Sequence, residues 1–398
     1  MIAGAPPRRT TRLARRVESL PPSGIRRFFD LLSTMDDVIS LGVGEPDFTT
    51  PWHIREAAIH SLERGHTMYT SNHGLIELRR ALVDHLERRY RVSYDPTRET
   101  LITVGVSEGL DLTLRALLDP DDEVIIPEPG YVSYGPCVTL AGGAPVFVAT
   151  SVENDFVPSV AALERAVTPR TRAILLGYPS NPTGAVAPHD VLADIVALAV
   201  RHDLIVISDE IYDRLVYGVD HTCVASLPGA RERTVLLGGF SKSYAMTGWR
   251  VGYAAAPPDL LAGMVKIHQY GALCAPISSQ HAALEALRHG ETDVQAMREE
   301  YDQRRRLMVH GLNRLGLTTF EPRGAFYAFP SVRSTGLSST QFAERLLIQE
   351  HVAVVPGEAF GPSGVGHVRC CYATSTANVT EALDRIGRFV QAIRAEVQ

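Results

Sequence analysis

Residues 240–253 read FSKSYAMTGWRVGY and set Lys242 and Arg250 eight positions apart. The chain has 39 basic residues, of which only Lys242 and Lys266 are lysine, leaving 37 arginines. Arginine stays charged in proteins, whereas lysine can lose its proton when its surroundings depress its pKa, and its amine is then a nucleophile. A lysine retained in an arginine-biased chain is therefore a candidate for covalent chemistry. Lys266 lies in LLAGMVKIHQY, an apolar helical pattern that lets a lysine head reach solvent. No chemical role follows for it.

Further candidates sit just after apolar runs. Between about residues 100 and 257, the runs LITVGV, EVIIPEP, APVFVAT, AILLGYP, LIVISDE, TVLLGGF and WRVGYAAAP recur, most of them separated by helix-like segments such as HDVLADIVALAVRHD. Strands alternating with helices predict a mostly parallel sheet covered on both faces, with ligands bound beyond the carboxyl ends of its strands. Polar residues gather at those ends: Ser107 and Glu108, Gly130 and Tyr131, Ser180 and Asn181, Asp209 and Tyr212, and Ser241 and Lys242. Five strand ends thus converge on one rim.

Residues 290–398 read differently: a long charged helix, strand-like GAFYAFP, VAVVP and HVRCCYAT, and a closing helix. The expected division is a large domain over 49–289 and a smaller α/β domain formed by 1–48 with 290–398, leaving a cleft between them. At 398 residues, 45% hydrophobic and 21% charged, the chain has the composition of a globular protein. A net charge of −6 implies no basic face for nucleic acid. Cys137, Cys223, Cys274, Cys370 and Cys371 have no metal-binding spacing, which fits a reducing compartment and a cytoplasmic location. The first sixteen residues hold five arginines and no acid, and read as a flexible arm. No segment has the roughly 20 apolar residues of a membrane span.

Together SDEIY, YPSNPTGAV, FSKSYAMTGWRVGY, LGVGEPDF and VRCCYATS resemble the class I and II aminotransferases, pyridoxal phosphate enzymes of fold type I. The resemblance implies a mostly parallel seven-stranded sheet in the large domain and a homodimer with shared active sites. It implies that Lys242 carries the cofactor as a Schiff base and moves the substrate's proton, tasks that require an amine. Asp209 would pair with the pyridine nitrogen, Tyr212 and Asn181 would hydrogen-bond the phenolic oxygen, and Tyr131 would stack on the ring. For the phosphate, the backbone N–H groups of Val106, Ser107 and Glu108 open a helix, with the Glu108 carboxylate expected to turn away. Arg250 would pair with the same phosphate, Ser241 would supply a hydroxyl where Gly239 replaces a serine usual in the family, and Tyr69 would reach the partner subunit's phosphate. Arg369 would clamp the substrate carboxylate as a bidentate pair, helped by the backbone of Gly44.

The resemblance implies ping-pong transfer of an amino group between an L-amino acid and a 2-oxo acid such as 2-oxoglutarate. A carbon-sulfur lyase or aminocyclopropane carboxylate synthase on the same fold, and a regulatory domain that senses the cofactor, are the alternatives. Ser107 stands where some aspartate-specific relatives place a lysine. The expected donor range is therefore aspartate, alanine or broad, with Arg26 and Arg27 as candidates for a side-chain carboxylate.

Overall fold

The computed structural model describes residues 12–20, 35 and 37–397. Arg26 and Arg27 lie outside the described residues. The strands in chain order are β1 (Ile39–Ser40), β2 (Thr100–Thr103), β3 (Glu123–Glu128), β4 (Ala144–Ala149), β5 (Thr171–Gly177) and β6 (Ile205–Asp209). They continue with β7 (Thr234–Gly239), β8 (Gly252–Ala255), β9 (Tyr327–Ala328), β10 (Val352–Ala353), β11 (Val355–Pro356) and β12 (Val368–Cys371).

The seven apolar runs form one sheet in the order β2-β8-β7-β6-β5-β3-β4. The pairings from β4 through β3, β5 and β6 to β7 are parallel, whereas β8 runs antiparallel to both β7 and β2. Strand β3 is buried along its whole length, as continuous Val and Ile require when helices cover both faces. The helix His189–Arg201 supplies one cover, burying Leu192, Ile195, Val196 and Ala199 at intervals of three and four. The run LITVGV stops being strand at Thr103, because the helix Gly105–Leu117 begins two residues later. This early start brings a helix N-terminus to the rim.

The reversed direction of β8 has its own consequence. Its amino end lies at the rim where the parallel strands have their carboxyl ends, so the residue two before it, Arg250, reaches the same rim. Arg250 takes a left-handed backbone conformation, with φ of 53°. Such strain in a non-glycine residue is held by its surroundings and concentrates at functional sites.

A second core lies under the C-terminal elements. Strands β11, β12 and β9 form an antiparallel sheet, and β1 pairs in parallel with β10. The run VAVVP is therefore divided between two sheets. The helices Glu291–Arg314, Ser339–Glu350 and Thr376–Val397 pack here, burying Tyr301, Phe342 and Phe389 among others. This core also takes in Leu41, Tyr212 and Tyr327, which ties it to the rim of the large sheet. Among the described residues, no helix is long and apolar enough to cross a membrane, and no acid, histidine and cysteine cluster could hold a metal ion. All five cysteines are free.

Candidate active site

A cavity of about 430 Å³ opens at the rim. Its walls include Gly44, Val106, Ser107, Tyr131, Asn181, Asp209, Tyr212, Ser241, Lys242, Arg250 and Arg369. Two candidate residues are not on its walls. Glu108 turns its carboxylate into the protein, accepting the Val104 N–H at 2.6 Å and lying 2.9 Å from His268 Nδ1. Tyr69 is 81% exposed.

Lys242 follows β7 by three residues, and its Nζ donates to the Gly44 carbonyl at 2.7 Å. Burial of the side chain lowers its ammonium from the usual lysine range to about 8, since a charged amine is poorly solvated there. A sizeable fraction of a nucleophilic amine therefore exists near neutral pH. Glycine at 44 leaves room for Tyr327 beside this contact, since a Cβ there would press on the Tyr327 hydroxyl oxygen.

Asp209 ends β6, buried, with Tyr134 donating to one carboxylate oxygen at 2.9 Å and the Ile211 N–H to the other at 3.2 Å. Burial pushes its carboxyl up to about 6, against the pull of the Tyr134 hydrogen bond. Among the described residues it has no ion pair. A buried carboxylate of this kind is stabilised by a cation arriving from the cavity.

Arg369, on β12, is buried and likewise has no acidic partner among the described residues, so it is not an interdomain salt bridge. Its Nη1 donates to Asn181 Oδ1 at 2.8 Å and its Nη2 to the Gly42 carbonyl at 2.6 Å, while Nε is buried with no partner among the described residues. The guanidinium lies over the rings of Tyr327 at 4.6 Å and Phe360 at 4.9 Å, which fix its plane. A desolvated guanidinium oriented by neutral acceptors and aromatic faces is a receptor for a carboxylate.

At the other end of the cavity, the first turn of the helix Gly105–Leu117 brings Val106 and Ser107 close to Arg250. Gly105, at φ of +75°, lets the guanidinium approach so near that a Cβ would lie 2.7 Å from Nη2. Free N–H groups at a helix start, beside an arginine, form an anion site suited to phosphate. The donor set thus fits pyridoxal phosphate: an anion cup, a buried acid, a pKa-lowered lysine, and Tyr131 on the wall.

Sequence reasoning missed three supporting residues: Tyr134 on Asp209, His268 on Glu108, and Tyr327, whose hydroxyl is 2.7 Å from that of Tyr212. Tyr134 follows Tyr131 by three residues and opens the helix Tyr134–Ala141, and that spacing was its only local signal. Lys266, by contrast, is exposed on the outer face of the helix Pro258–Tyr270.

Known proteins resemble this chain along nearly its whole length. The family model described as "Aminotransferase class I and II" matches residues 36–386. The aspartate aminotransferase of Pyrococcus abyssi is 46% identical over 94% of this chain and 97% of its own. An aromatic-amino-acid aminotransferase of Thermococcus litoralis is also 46% identical, over 95% and 98%. A crystal structure titled as Pyrococcus protein-A1 superimposes with a TM-score of 0.94 at 46% identity, covering 96% of this chain and 99% of that one. The chain belongs to the class I and II aminotransferases, enzymes of fold type I that use pyridoxal phosphate. Both relatives are named as aminotransferases, and neither name supports the lyase, synthase or regulatory alternatives.

Proposed function

We propose that this enzyme transfers the amino group of an L-amino acid to a 2-oxo acid such as 2-oxoglutarate in two half-reactions at one site, with aspartate, alanine or a broad range as donors. The observation that carries the reading is the buried Arg369 guanidinium, with no acidic partner among the described residues, facing the same cavity as Lys242, whose ammonium burial lowers to about 8. Every amino-acid donor and every 2-oxo-acid acceptor shares a carboxylate, so one fixed receptor serves both halves. The relatives named for aspartate and for aromatic amino acids support a donor range no narrower than these.

Pyridoxal phosphate, when bound, supplies the carbonyl that takes up the amino group and the ring that accepts the electron pair released at the substrate's α-carbon. Arg369 binds the substrate carboxylate and orients the α-carbon, with Asn181 keeping the guanidinium in plane. Lys242 takes the proton from that α-carbon, which its lowered pKa allows at neutral pH. Asp209 would hold the pyridine nitrogen of the bound cofactor as a cation, and Tyr134 keeps that carboxylate ionised and pointed. Tyr212 would offer a hydroxyl to the phenolic oxygen, and Tyr131, on the cavity wall, would cover the ring face. The N–H groups of Val106, Ser107 and Glu108, with Arg250 and Ser241, would hold the phosphate. Tyr69, exposed in the single chain, is assigned to the neighbouring site of a homodimer, and the division into 49–289 and 1–48 with 290–398 allows closure over bound substrate.

The test is product analysis. Purified enzyme given pyridoxal phosphate, aspartate or alanine, and 2-oxoglutarate should form glutamate in step with loss of the donor. Release of ammonia and pyruvate without glutamate would instead mark a lyase. Lys242→Arg, which keeps the charge but lacks a usable amine, should abolish turnover; normal turnover in that variant contradicts the role of Lys242.

A further inference from the structure

Glu108 is the fourth residue of the helix Gly105–Leu117, whose first turn faces the anion end of the cavity. Long side chains on a helix lean back toward its N-terminus. Left to itself, the Glu108 carboxylate would reach toward the N–H groups that a phosphate needs, and would repel it. Here it is held by two contacts. Oε2 accepts the Val104 N–H at 2.6 Å, and Oε1 lies 2.9 Å from Nδ1 of His268, 160 residues further along the chain.

His268 is fully buried in the helix Pro258–Tyr270, and its Nε2 has no hydrogen-bond partner among the described residues. Burying an imidazole satisfied on one side only is costly. Its Nδ1 instead meets the acid in that first turn, Glu108. We infer that His268 is a positioning residue for the cofactor: by hydrogen-bonding Glu108 through Nδ1, it keeps the carboxylate off the phosphate site and leaves the first-turn N–H groups free. His268 lines neither end of the cavity and acts only through Glu108. The inference rests on the reading of that turn as the phosphate site.

The test is the equilibrium affinity of the apo-protein for pyridoxal phosphate, read by absorbance or by quenching of intrinsic fluorescence, in wild type, His268→Leu, Glu108→Gln and the double variant. His268→Leu should bind about tenfold more weakly, equivalent to about 1.4 kcal/mol. Glu108→Gln should bind as tightly as wild type or more so, because its amide oxygen can still accept the Val104 N–H without the charge. The double variant should return to within about threefold of Glu108→Gln, since removing the charge removes the need for the clamp. Unchanged affinity in His268→Leu, or a loss that persists in the double variant, overturns the inference and leaves His268 a packing residue. If His268→Leu does not fold, Glu108→Gln decides alone: a loss beyond about threefold means that the carboxylate helps binding, which contradicts the proposal. Failure of the underlying reading is separately visible, as wild-type apo-protein that takes up no pyridoxal phosphate.

Discussion

Replacing Arg369 by lysine isolates geometry from charge. The guanidinium is held by donation to Asn181 at 2.8 Å and to Gly42 at 2.6 Å, and it is flattened against Tyr327 and Phe360. A planar fork held this way can give a carboxylate two parallel hydrogen bonds, while an ammonium on a flexible stem gives one without a fixed direction. The loss is therefore at least one hydrogen bond to a charged group, worth about 1.5–3 kcal/mol, or roughly 10- to 150-fold in the efficiency of the amino-donor half-reaction. Asn181 and the Gly42 carbonyl also lose a donor, which pushes the effect toward the upper end. The assay is rapid mixing of Arg369→Lys holoenzyme with a donor amino acid, following the cofactor's visible absorption against donor concentration. Both saturation and limiting rate should suffer, because the same contact binds the substrate and aims its α-carbon. A variant within threefold of wild type refutes the argument that the fork, rather than charge alone, recognises the carboxylate.

Lys242, with a folded pKa of about 8 against an ordinary value of 10.5, should make cofactor capture by the apo-protein pH-dependent. Capture should quicken by about tenfold per unit below pH 8 and level off above it, as the amine fraction dictates; stopped-flow mixing with pyridoxal phosphate checks this. The sign for stability is the same. Because the unfolded chain binds the proton more tightly, the apo-protein should gain stability as pH rises from about 8 toward 10.5, and Lys242→Met should remove that slope in thermal melts. Tyr134→Phe removes the side-chain donor on Asp209, which favours the protonated acid; kcat should fall by about tenfold, and the acid limb of the pH profile should move to higher pH, with no change in fold by circular dichroism. Gly44→Ala drives a methyl group into the Tyr327 hydroxyl at 2.3 Å and should cost about 1–3 kcal/mol in urea unfolding, while disturbing the carbonyl that holds Lys242.

The large sheet was legible because each strand is a short Val, Ile and Leu run with polar residues stacked at one end, and that is the pattern a doubly covered parallel sheet imposes. The positions of Lys242 and Asp209 were legible for the same reason, since each sits at or just past a strand end and both reach the cavity. The direction of β8 was not legible: periodicity gives no strand polarity, and the placement of Arg250 on the rim depends on that polarity. Tyr134, Tyr327 and His268 escaped because each matters only through a partner 75, 115 or 160 residues away. A buried tyrosine on a helix face and one in a strand look alike in sequence whether or not a hydroxyl meets a functional group. Lys266 was ambiguous from sequence alone, and its exposure resolves it as a solvated surface residue.

In the proposed function, one cavity binds donor and acceptor in turn through the same lysine, acid and arginine. The direct measurement adds amino acids one at a time to the yellow holoenzyme, with no acceptor present, and records the visible spectrum. At least one donor among aspartate, alanine and the aromatic amino acids should bleach the absorption in proportion to enzyme, and 2-oxoglutarate should then restore it without added cofactor. A spectrum that no amino acid bleaches, or that bleaches but is not restored by any 2-oxo acid, would contradict the account.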